Sequence, residues 1–478
     1  MKISEHFDLE ATQFTLDFVD IDTEHDTPLF LDPFYMGMRT DAWSSGASRT
    51  LRNFFETFVN LVREGREAEA QELFQYLHEP NETCLGLSKD KPRGNAIGEV
   101  DGKKLYDSIA GSRAVQTGIV EDVEDFRLFI PGIDKDKISD MTTNVIRRHL
   151  IDYTKSQCLL WRIDLTTGVQ TGPYWNAANR RWENGFDEML VVDGKKILLT
   201  PKGIVSYCKR YTPQKYHKKF ILEFLQNENI RLNTALVKRR RDGTPYVTKL
   251  SIEEQDAPYS KEFLANFTSA HPDVFRSFKD WSRRTSSAIA NEDLSTERIE
   301  DVAQYLKTRL RAIRPGNEEA TDYHRTSVSI LELLFYPNAT TPTVEREIHD
   351  GRKRIDITFD NAAESGFLFR LHTTYETPAQ FIFVECKNYS RDVANPELDQ
   401  LAGRFSINRG KFGLLLCRSV DNMPLLIRRC ADAYADGRGI LIPVTDADLE
   451  MMLDQIINGI SQPYEAFLSA RYREIALR

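Results

Sequence analysis

The chain has no long apolar run and few cysteines, and these absences exclude several classes of protein. No stretch of about 18 or more apolar residues occurs among its 478 residues, so the sequence predicts no membrane-spanning helix. The N-terminal residues lack the basic and then apolar profile of a signal peptide. The six cysteines form no C-x-x-C pair and no Cys/His cluster of zinc-finger spacing. We therefore expect a cytoplasmic protein without a structural zinc.

The chain also lacks an excess of positive charge, but its charges are unevenly distributed. The formal net charge is −9, which argues against indiscriminate nucleic-acid binding by counterion release alone. The first fifty residues are acidic, whereas residues 201–250 are rich in lysine and arginine. The candidates for contact with phosphate groups are Lys215, Lys218, Lys219, Lys238, Arg239, Arg240 and Arg241. A solvated basic surface without a ligand is the alternative.

Length and pattern divide the chain into three parts. At 478 residues it is too long for one ordinary core. We expect an α+β region over residues 1–150, and a β-rich, then basic region over residues 151–290 that senses a signal or contacts nucleic acid. The polar residues 282–296 are the best candidate for a linker. Over residues 296–478 helices and strands alternate, which predicts an α/β domain with a mostly parallel or mixed sheet flanked by helices.

Individual elements of this C-terminal part can be predicted. The patterns indicate helices near 295–312, 321–336 and 396–408, and strands at 343–348, 353–359, 381–387, 412–418 and 439–444. Gly410 is expected to cap the third of these helices. Residues 361–380 are expected to form an additional hairpin.

Two of these strands carry charged residues that can meet. In FIFVECKNYS, four apolar residues precede Glu385, which indicates a strand buried on both faces. Glu385 and Lys387 are two residues apart and therefore face the same side. The segment GRKRIDITF alternates, so Asp356 lies on the polar face of a neighbouring strand. Converging carboxylates repel each other unless a cation such as Mg²⁺ lies between them. A salt-bridge network with Lys387 is the structural alternative.

This combination resembles the PD-(D/E)XK nuclease superfamily. The core motif of that superfamily is an Asp on one strand and E/D-x-K on the next, here Asp356 and Glu385-Cys386-Lys387, with Ile355 in place of the proline. ECKNY followed by PELDQLAGRF is similar to the Mrr-like restriction endonuclease branch. The resemblance covers roughly residues 296–460 and implies a restriction-endonuclease-like mixed sheet flanked by helices.

The resemblance implies Mg²⁺-dependent or Mn²⁺-dependent hydrolysis of phosphodiester bonds. Asp356, Glu385 and the backbone carbonyl of Cys386 would hold the metal, and Lys387 would orient or help to deprotonate the attacking water.

The resemblance also implies two supporting residues. Glu332, on the helix before the sheet, would position a metal-bound water, and Gln400 would support the site. Each can instead be an ordinary helix residue, and Glu347 competes for the role of the accessory carboxylate.

The biological role that the resemblance implies is that of a DNA endonuclease in bacterial restriction or anti-phage defence. Cleavage of RNA is one alternative. A nuclease subunit that stays inactive until an ATPase or sensor partner binds is another, and the acidic net charge favours it. The third is a non-catalytic nucleic-acid-binding or assembly module. We expect a homo-oligomer or a complex with such a defence partner, and no association with a membrane.

Overall fold

The computed structural model describes residues 1–86, 99–344 and 357–478. Two residues singled out by the sequence, Asp356 and Glu347, lie outside these described ranges. None of the helices within them is long and apolar enough to cross a membrane.

The first part of the chain is mainly helical with short strands. Its helices are α1 Ile3–His6, α2 Pro33–Met38, α3 Ala42–Arg63, α4 Glu67–Glu72, α5 Glu99–Ala110, α6 Arg113–Gln116, α7 Phe126–Phe129, α8 Lys135–Val145, α9 Arg147–Trp161, α10 Pro213–Lys215, α11 Leu222–Leu232, α12 Lys249–Gln255, α13 Lys261–Ala270 and α14 Pro272–Thr285. Its strands are β1 Phe30–Leu31, β2 Thr166–Gln170, β3 Tyr174–Asn176, β4 Arg181–Glu183, β5 Phe186–Val192, β6 Lys195–Ile197, β7 Val205–Ser206, β8 Lys238–Arg239 and β9 Pro245–Tyr246. The strands form small sheets.

The last part alternates helices and strands, as its sequence pattern predicts. Its helices are α15 Ile299–Ala312, α16 Ala320–Phe335, α17 Gly366–Thr373, α18 Asn395–Ala402, α19 Met423–Ala435, α20 Asp446–Ile457 and α21 Tyr464–Ala476. Its strands are β10 Ala339–Val344, β11 Ile357–Asn361, β12 Phe381–Lys387, β13 Phe412–Cys417 and β14 Ile440–Thr445.

These five strands form one mixed sheet in the order β10-β11-β12-β13-β14. The pairs on the β10 side of β12 are antiparallel, and those on the other side are parallel. β13 and β14 are buried along their whole length, because helices cover both faces of the sheet. The prediction of a mixed α/β sheet flanked by helices is thus confirmed, and β12 is its middle strand.

Two of the local predictions are wrong. Residues 361–380 contain α17 instead of a hairpin, because Phe367, Leu368 and Leu371 recur at helical spacing and are buried. The third predicted helix, α18, ends at Ala402 rather than near 408, and its C-cap residue is Gly403. Gly410 lies in a tight turn, where a Cβ atom would meet the Ala379 Cα at 3.2 Å. It serves close backbone approach and caps no helix.

The predicted division into three parts differs from the packing. The expected boundary at residue 150 falls inside α9. One hydrophobic core combines residues of the first 21 positions, α9 and the segment 190–205 with the five-stranded sheet. The expected linker begins inside α14, and its Ile289 is buried in that same core. The Tyr336 hydroxyl donates a hydrogen bond to the Ile289 carbonyl at 2.9 Å. The connecting segment is therefore anchored to the sheet domain.

Candidate active site

The structure brings three of the predicted site residues together at the end of the middle strand. Glu385 and Lys387 lie on β12 and are only 2% and 4% exposed. The Lys387 ammonium donates to Glu385 Oε1, and it also donates to Gln400 Oε1 at 3.2 Å. A charged pair at this depth is costly to desolvate and needs such partners. These two contacts place Glu385, Lys387 and Gln400 next to one another.

One oxygen of the Glu385 carboxylate has no hydrogen-bond donor among the described residues. This atom, Oε2, is buried and lies 3.8 Å from Nη2 of Arg404. Buried carboxylate oxygens in folded proteins nearly always have a partner, so an unsatisfied one indicates strain, function or a bound ion. Apart from this ion pair with Arg404, Oε2 has no partner among the described residues.

The sequence around α18 explains how Gln400 reaches Lys387. Glu397 accepts a hydrogen bond from the Ala394 backbone N–H at 2.9 Å and so fixes the start of the helix. Leu398 and Leu401 are buried and set the helix rotation. Gln400, between them in sequence, then faces the end of β12.

Asn388 anchors the chain immediately after the site. Its side-chain amide donates to the carbonyls of Arg314 and Gly316 at 3.0 and 2.8 Å. The Gly316 N–H donates in return to the Asn388 carbonyl at 2.8 Å. These bonds hold the end of β12 against the loop between α15 and α16. No sequence pattern singles out Asn388, because its contacts depend on a loop about 70 residues earlier.

His324 is a site neighbour that sequence reasoning missed. It lies on α16, and its ring faces the Cys386 backbone and lies within electrostatic reach of Glu385 and Lys387. Burial lowers the pKa of His324, and the Cys386 carbonyl opposes this shift only in part. The imidazole is thus neutral at pH 7. Its Nδ1 atom is buried and makes no hydrogen bond among the described residues. No local motif marks this histidine in the sequence.

Glu332, the other α16 residue of interest, lies elsewhere. It is 1% exposed, and its Oε2 is 3.7 Å from Nζ of the fully buried Lys202. Burial raises the pKa of Glu332 well above its usual value, and nearby Asp17 raises it further. His324 precedes Glu332 by eight residues, about 12 Å along the helix. Glu332 therefore joins a cluster with the N-terminal region, because the buried Lys202 ammonium requires a partner.

The Cys386 side chain is buried beside this site. Burial raises the pKa of its thiol to about 12. The thiol therefore stays protonated and unreactive at neutral pH. Only the backbone carbonyl of Cys386, which faces His324, is available to the site.

One atom of this site, Oε2 of Glu385, suits a divalent cation. The unsatisfied Oε2 is a hard oxygen of the kind that Mg²⁺ binds. Asp356, the second carboxylate of the predicted site, lies outside the described residues. Elsewhere in the described ranges, potential ligand atoms of Asp22, Glu24 and His25 converge. That group lies at the surface, where acidic clusters are common without a metal.

The predicted basic residues form two groups in the first part of the chain. The first is the β8–β9 hairpin, where Lys238 and Arg239 lie on β8, and Arg240 and Arg241 follow in the turn to β9. Within the described ranges these four side chains make no ion pair, although Arg240 packs over the Tyr246 ring at 5.7 Å. This hairpin presents unneutralised positive charge to solvent.

The second basic group lies beside Trp281. Nζ of Lys219 is 4.1 Å from the Trp281 ring centroid, and Nζ of Lys215 is 5.5 Å from it. Lys218 is exposed, and its carbonyl accepts a hydrogen bond from Nζ of Lys249 at 2.7 Å. α11 follows this group directly and contacts the end of the β8–β9 hairpin through Gln226, which donates to the Val247 carbonyl. The two basic groups thus belong to one structural unit.

Comparison with known proteins gives one match. Residues 8–212 match the model of a family described as a domain of unknown function, DUF8370. This range includes Asp17 and Lys202 and excludes the site on β12. No curated protein matches the chain. No solved structure matches it either.

Proposed function

We propose that the chain is a metal-dependent endonuclease of the PD-(D/E)XK type that hydrolyses DNA phosphodiester bonds. The observation that carries this proposal is the buried contact of Lys387 with both Glu385 and Gln400 at the end of the middle strand. Two features support it: the mixed sheet around β12 and the unsatisfied oxygen of Glu385. The role in restriction or anti-phage defence rests on the resemblance of the motif alone.

The chemistry follows from the charges at this strand end. Glu385 and the Cys386 carbonyl would hold a divalent cation, with Asp356 as the second carboxylate. When bound, the cation offsets the charge that develops on the scissile phosphate and lowers the pKa of water. Lys387 orients the attacking water and stabilises negative charge on the phosphate. Gln400 holds the Lys387 ammonium in place through its Oε1 atom.

The alternative is that the Lys387–Glu385 contact is purely structural. In the described part of the chain Glu385 Oε2 accepts no hydrogen bond, and Nη2 of Arg404 lies 3.8 Å from it. The contacts of Lys387 with Glu385 and Gln400 do not use this oxygen, which supports a site that binds a ligand.

A cleavage panel tests the proposal and identifies the substrate. Purified full-length protein is incubated with supercoiled plasmid, single-stranded DNA and RNA, with Mg²⁺, with Mn²⁺ or with a chelator. We expect metal-dependent nicking of the plasmid that is abolished in Glu385→Gln. Cleavage of RNA but not of DNA would show that the substrate is RNA. Activity that survives the chelator or the substitution would contradict the proposed site.

A further inference from the structure

A pocket lies away from the β12 site, where the first part of the chain meets the connecting segment. It has a volume of about 300 Å³. One wall is formed by residues 206–210 and the end of α10, and another by residues 285–289. Its polar and aromatic lining includes Tyr35, Lys209, Arg210, Lys215, Ser286 and Ser287.

Three cations line this pocket without an acidic partner. Lys209 and Arg210 are exposed, Lys215 is half-buried, and none of the three makes an ion pair within the described ranges. Burial lowers the pKa of Lys215, and the nearby charges of Arg210 and Lys219 lower it further, so the cations repel one another. An anion placed among them would relieve this repulsion.

Two carboxylates also line the pocket, and neither neutralises these cations. The Asp32 carboxylate accepts hydrogen bonds from the Ser206 hydroxyl at 2.6 Å and from the Tyr35 backbone N–H at 3.1 Å. Asp293 is exposed and makes no ion pair with a described residue. The three cations therefore lack a carboxylate partner among the described residues, although Nζ of Lys209 lies 4.7 Å from the Tyr207 ring centroid and Nζ of Lys215 lies 5.5 Å from that of Trp281.

The wall formed by residues 285–289 adds hydrogen-bond donors. The hydroxyls of Ser286 and Ser287 make no hydrogen bond to a described residue, although both residues line the pocket. Hydroxyl and cationic donors on two walls match the several acceptor oxygens of a phosphate group. The volume exceeds what a bare phosphate fills and is at the lower end for organic ligands.

We propose that this pocket binds a phosphorylated small molecule of about the size of a nucleoside monophosphate. The phosphate lies among Lys209, Arg210 and Lys215, with Ser286 and Ser287 as further donors. The organic part packs towards Tyr35, which also lines the pocket. This proposal does not depend on the proposed nuclease activity.

The position of the pocket gives such a ligand a structural consequence. The Tyr207 hydroxyl donates to the Asp293 carbonyl at 3.2 Å, so the first wall already contacts the chain just beyond the second. A phosphate held between the cations of one wall and the serines of the other adds a second connection. Binding therefore stabilises the junction that leads into the sheet domain.

Isothermal titration calorimetry of the full chain with AMP and with ribose 5-phosphate tests the proposal. Adenosine is the phosphate-free control. We expect both phosphate esters to bind with a Kd below about 1 mM and adenosine not to bind. Arg210→Gln and Lys209→Gln should each weaken binding about tenfold or more, the effect of one charge-assisted hydrogen bond. Both side chains are exposed, so folding is preserved. The matched control, Arg180→Gln at the exposed turn between β3 and β4, should bind like wild type.

Several results would overturn this inference. These are the absence of saturable binding by both esters and an affinity that Arg210→Gln and Lys209→Gln leave unchanged. A third is binding of an eight-nucleotide oligothymidylate through Lys209 and Arg210 without binding of either ester, because the pocket would then belong to a nucleic-acid surface.

Discussion

Gln400 is the residue whose role is easiest to separate from that of the reacting groups. Among the described residues its side chain hydrogen-bonds to the site through the Lys387 ammonium, so we treat it as a positioning residue. Gln400→Ala should lower the single-turnover rate of DNA cleavage about tenfold to a hundredfold, as for other residues that orient a reacting group. Gln400→Glu keeps an acceptor for Lys387 and should recover much of this rate near neutral pH.

The pH profile distinguishes this role from a structural one. Because a second carboxylate stabilises the protonated ammonium, Gln400→Glu should also move the basic limb of the rate profile to higher pH. An unchanged profile, or equally reduced rates in both variants, would contradict the positioning role.

Asp360 predicts a pH dependence of stability. Burial, with Asp41 and Asp17 nearby, raises the pKa of this β11 carboxyl to about 7, against the opposing effects of the Trp43 N–H and Arg39. The folded state therefore holds a proton that the unfolded chain releases near pH 4. The resulting stabilisation is complete below about pH 4 and is lost as pH rises to about 7.

Asp360→Asn removes this proton linkage and keeps an acceptor for the Trp43 N–H, which donates to Asp360 at 2.8 Å. Between pH 5 and pH 7 the free energy of unfolding of wild type should fall by about 2 kcal/mol relative to the variant. Urea unfolding at several pH values measures this difference. Parallel curves for the two proteins would show that Asp360 titrates normally.

Among the elements, the β8–β9 hairpin makes a prediction about DNA binding. Arg239, Arg240 and Arg241 make no ion pair within the described ranges and project from the surface. Replacing all three with Gln should weaken DNA binding and lower the slope of log Kd against log salt by about 0.9 for each phosphate that the hairpin no longer neutralises. Fluorescence anisotropy over a salt series measures both the affinity and the slope.

The turn between β3 and β4 offers a matched control for this hairpin. Arg180 is exposed at that turn, and Arg181, the first residue of β4, is exposed and pairs with Glu183 at 3.0 Å. Arg180→Gln/Arg181→Gln should leave the salt slope as in wild type. If the substitutions at the β3–β4 turn lowered the salt slope as much as those on the β8–β9 hairpin, the hairpin would contribute only its charge and no specific DNA contact.

The elements also show what the sequence can and cannot predict. The sequence predicts the β12 strand with its observed bounds, Phe381–Lys387, because an unbroken apolar run followed by E-x-K is a local signal. The third predicted helix is too long, because Phe405 continues the helical spacing of Leu398 and Leu401 in the sequence. The turn at Gly410 instead brings the chain against the backbone at Ala379, and no local pattern reveals that contact.

The residues of the candidate site show the same limit of prediction from sequence. Glu385, Lys387 and Gln400 lie within 16 positions of one another, and their association follows from one strand and the helix after it. His324 and Lys202 come from distant parts of the chain. Lys202 pairs with Glu332 and removes it from the expected accessory role, and no periodicity reveals such a long-range contact.

At the scale of the whole molecule, the family-matched region and the sheet domain share a buried polar interface. The Thr341 N–H donates to Asp17 at 3.0 Å, and Arg39 donates to Thr340 at 3.2 Å. The Lys202–Glu332 pair lies in the same interface and is almost fully buried. The two parts therefore pack against each other through polar groups, and exposing these groups or leaving them unpaired would cost free energy.

Lys202→Met should destabilise the molecule by about 3 kcal/mol, because it leaves the buried Glu332 without its partner. The double variant Lys202→Met/Glu332→Met replaces the pair with apolar side chains and should be closer to wild type than the single variant. Urea unfolding of the two variants, of Glu332→Met and of wild type gives the comparison. A double variant as unstable as the sum of its singles would show that Lys202 and Glu332 do not interact.

The most direct test of the central claim is the rate of plasmid nicking by Lys387→Ala beside Lys411→Ala. Lys411 precedes β13 at the opposite end of the parallel strands, where its Nζ donates to the Gly437 carbonyl. We predict that Lys387→Ala lowers the metal-dependent rate about a hundredfold or more, whereas Lys411→Ala retains the wild-type rate. Equal rates for Lys387→Ala and wild type would contradict the assignment of β12 as the active site.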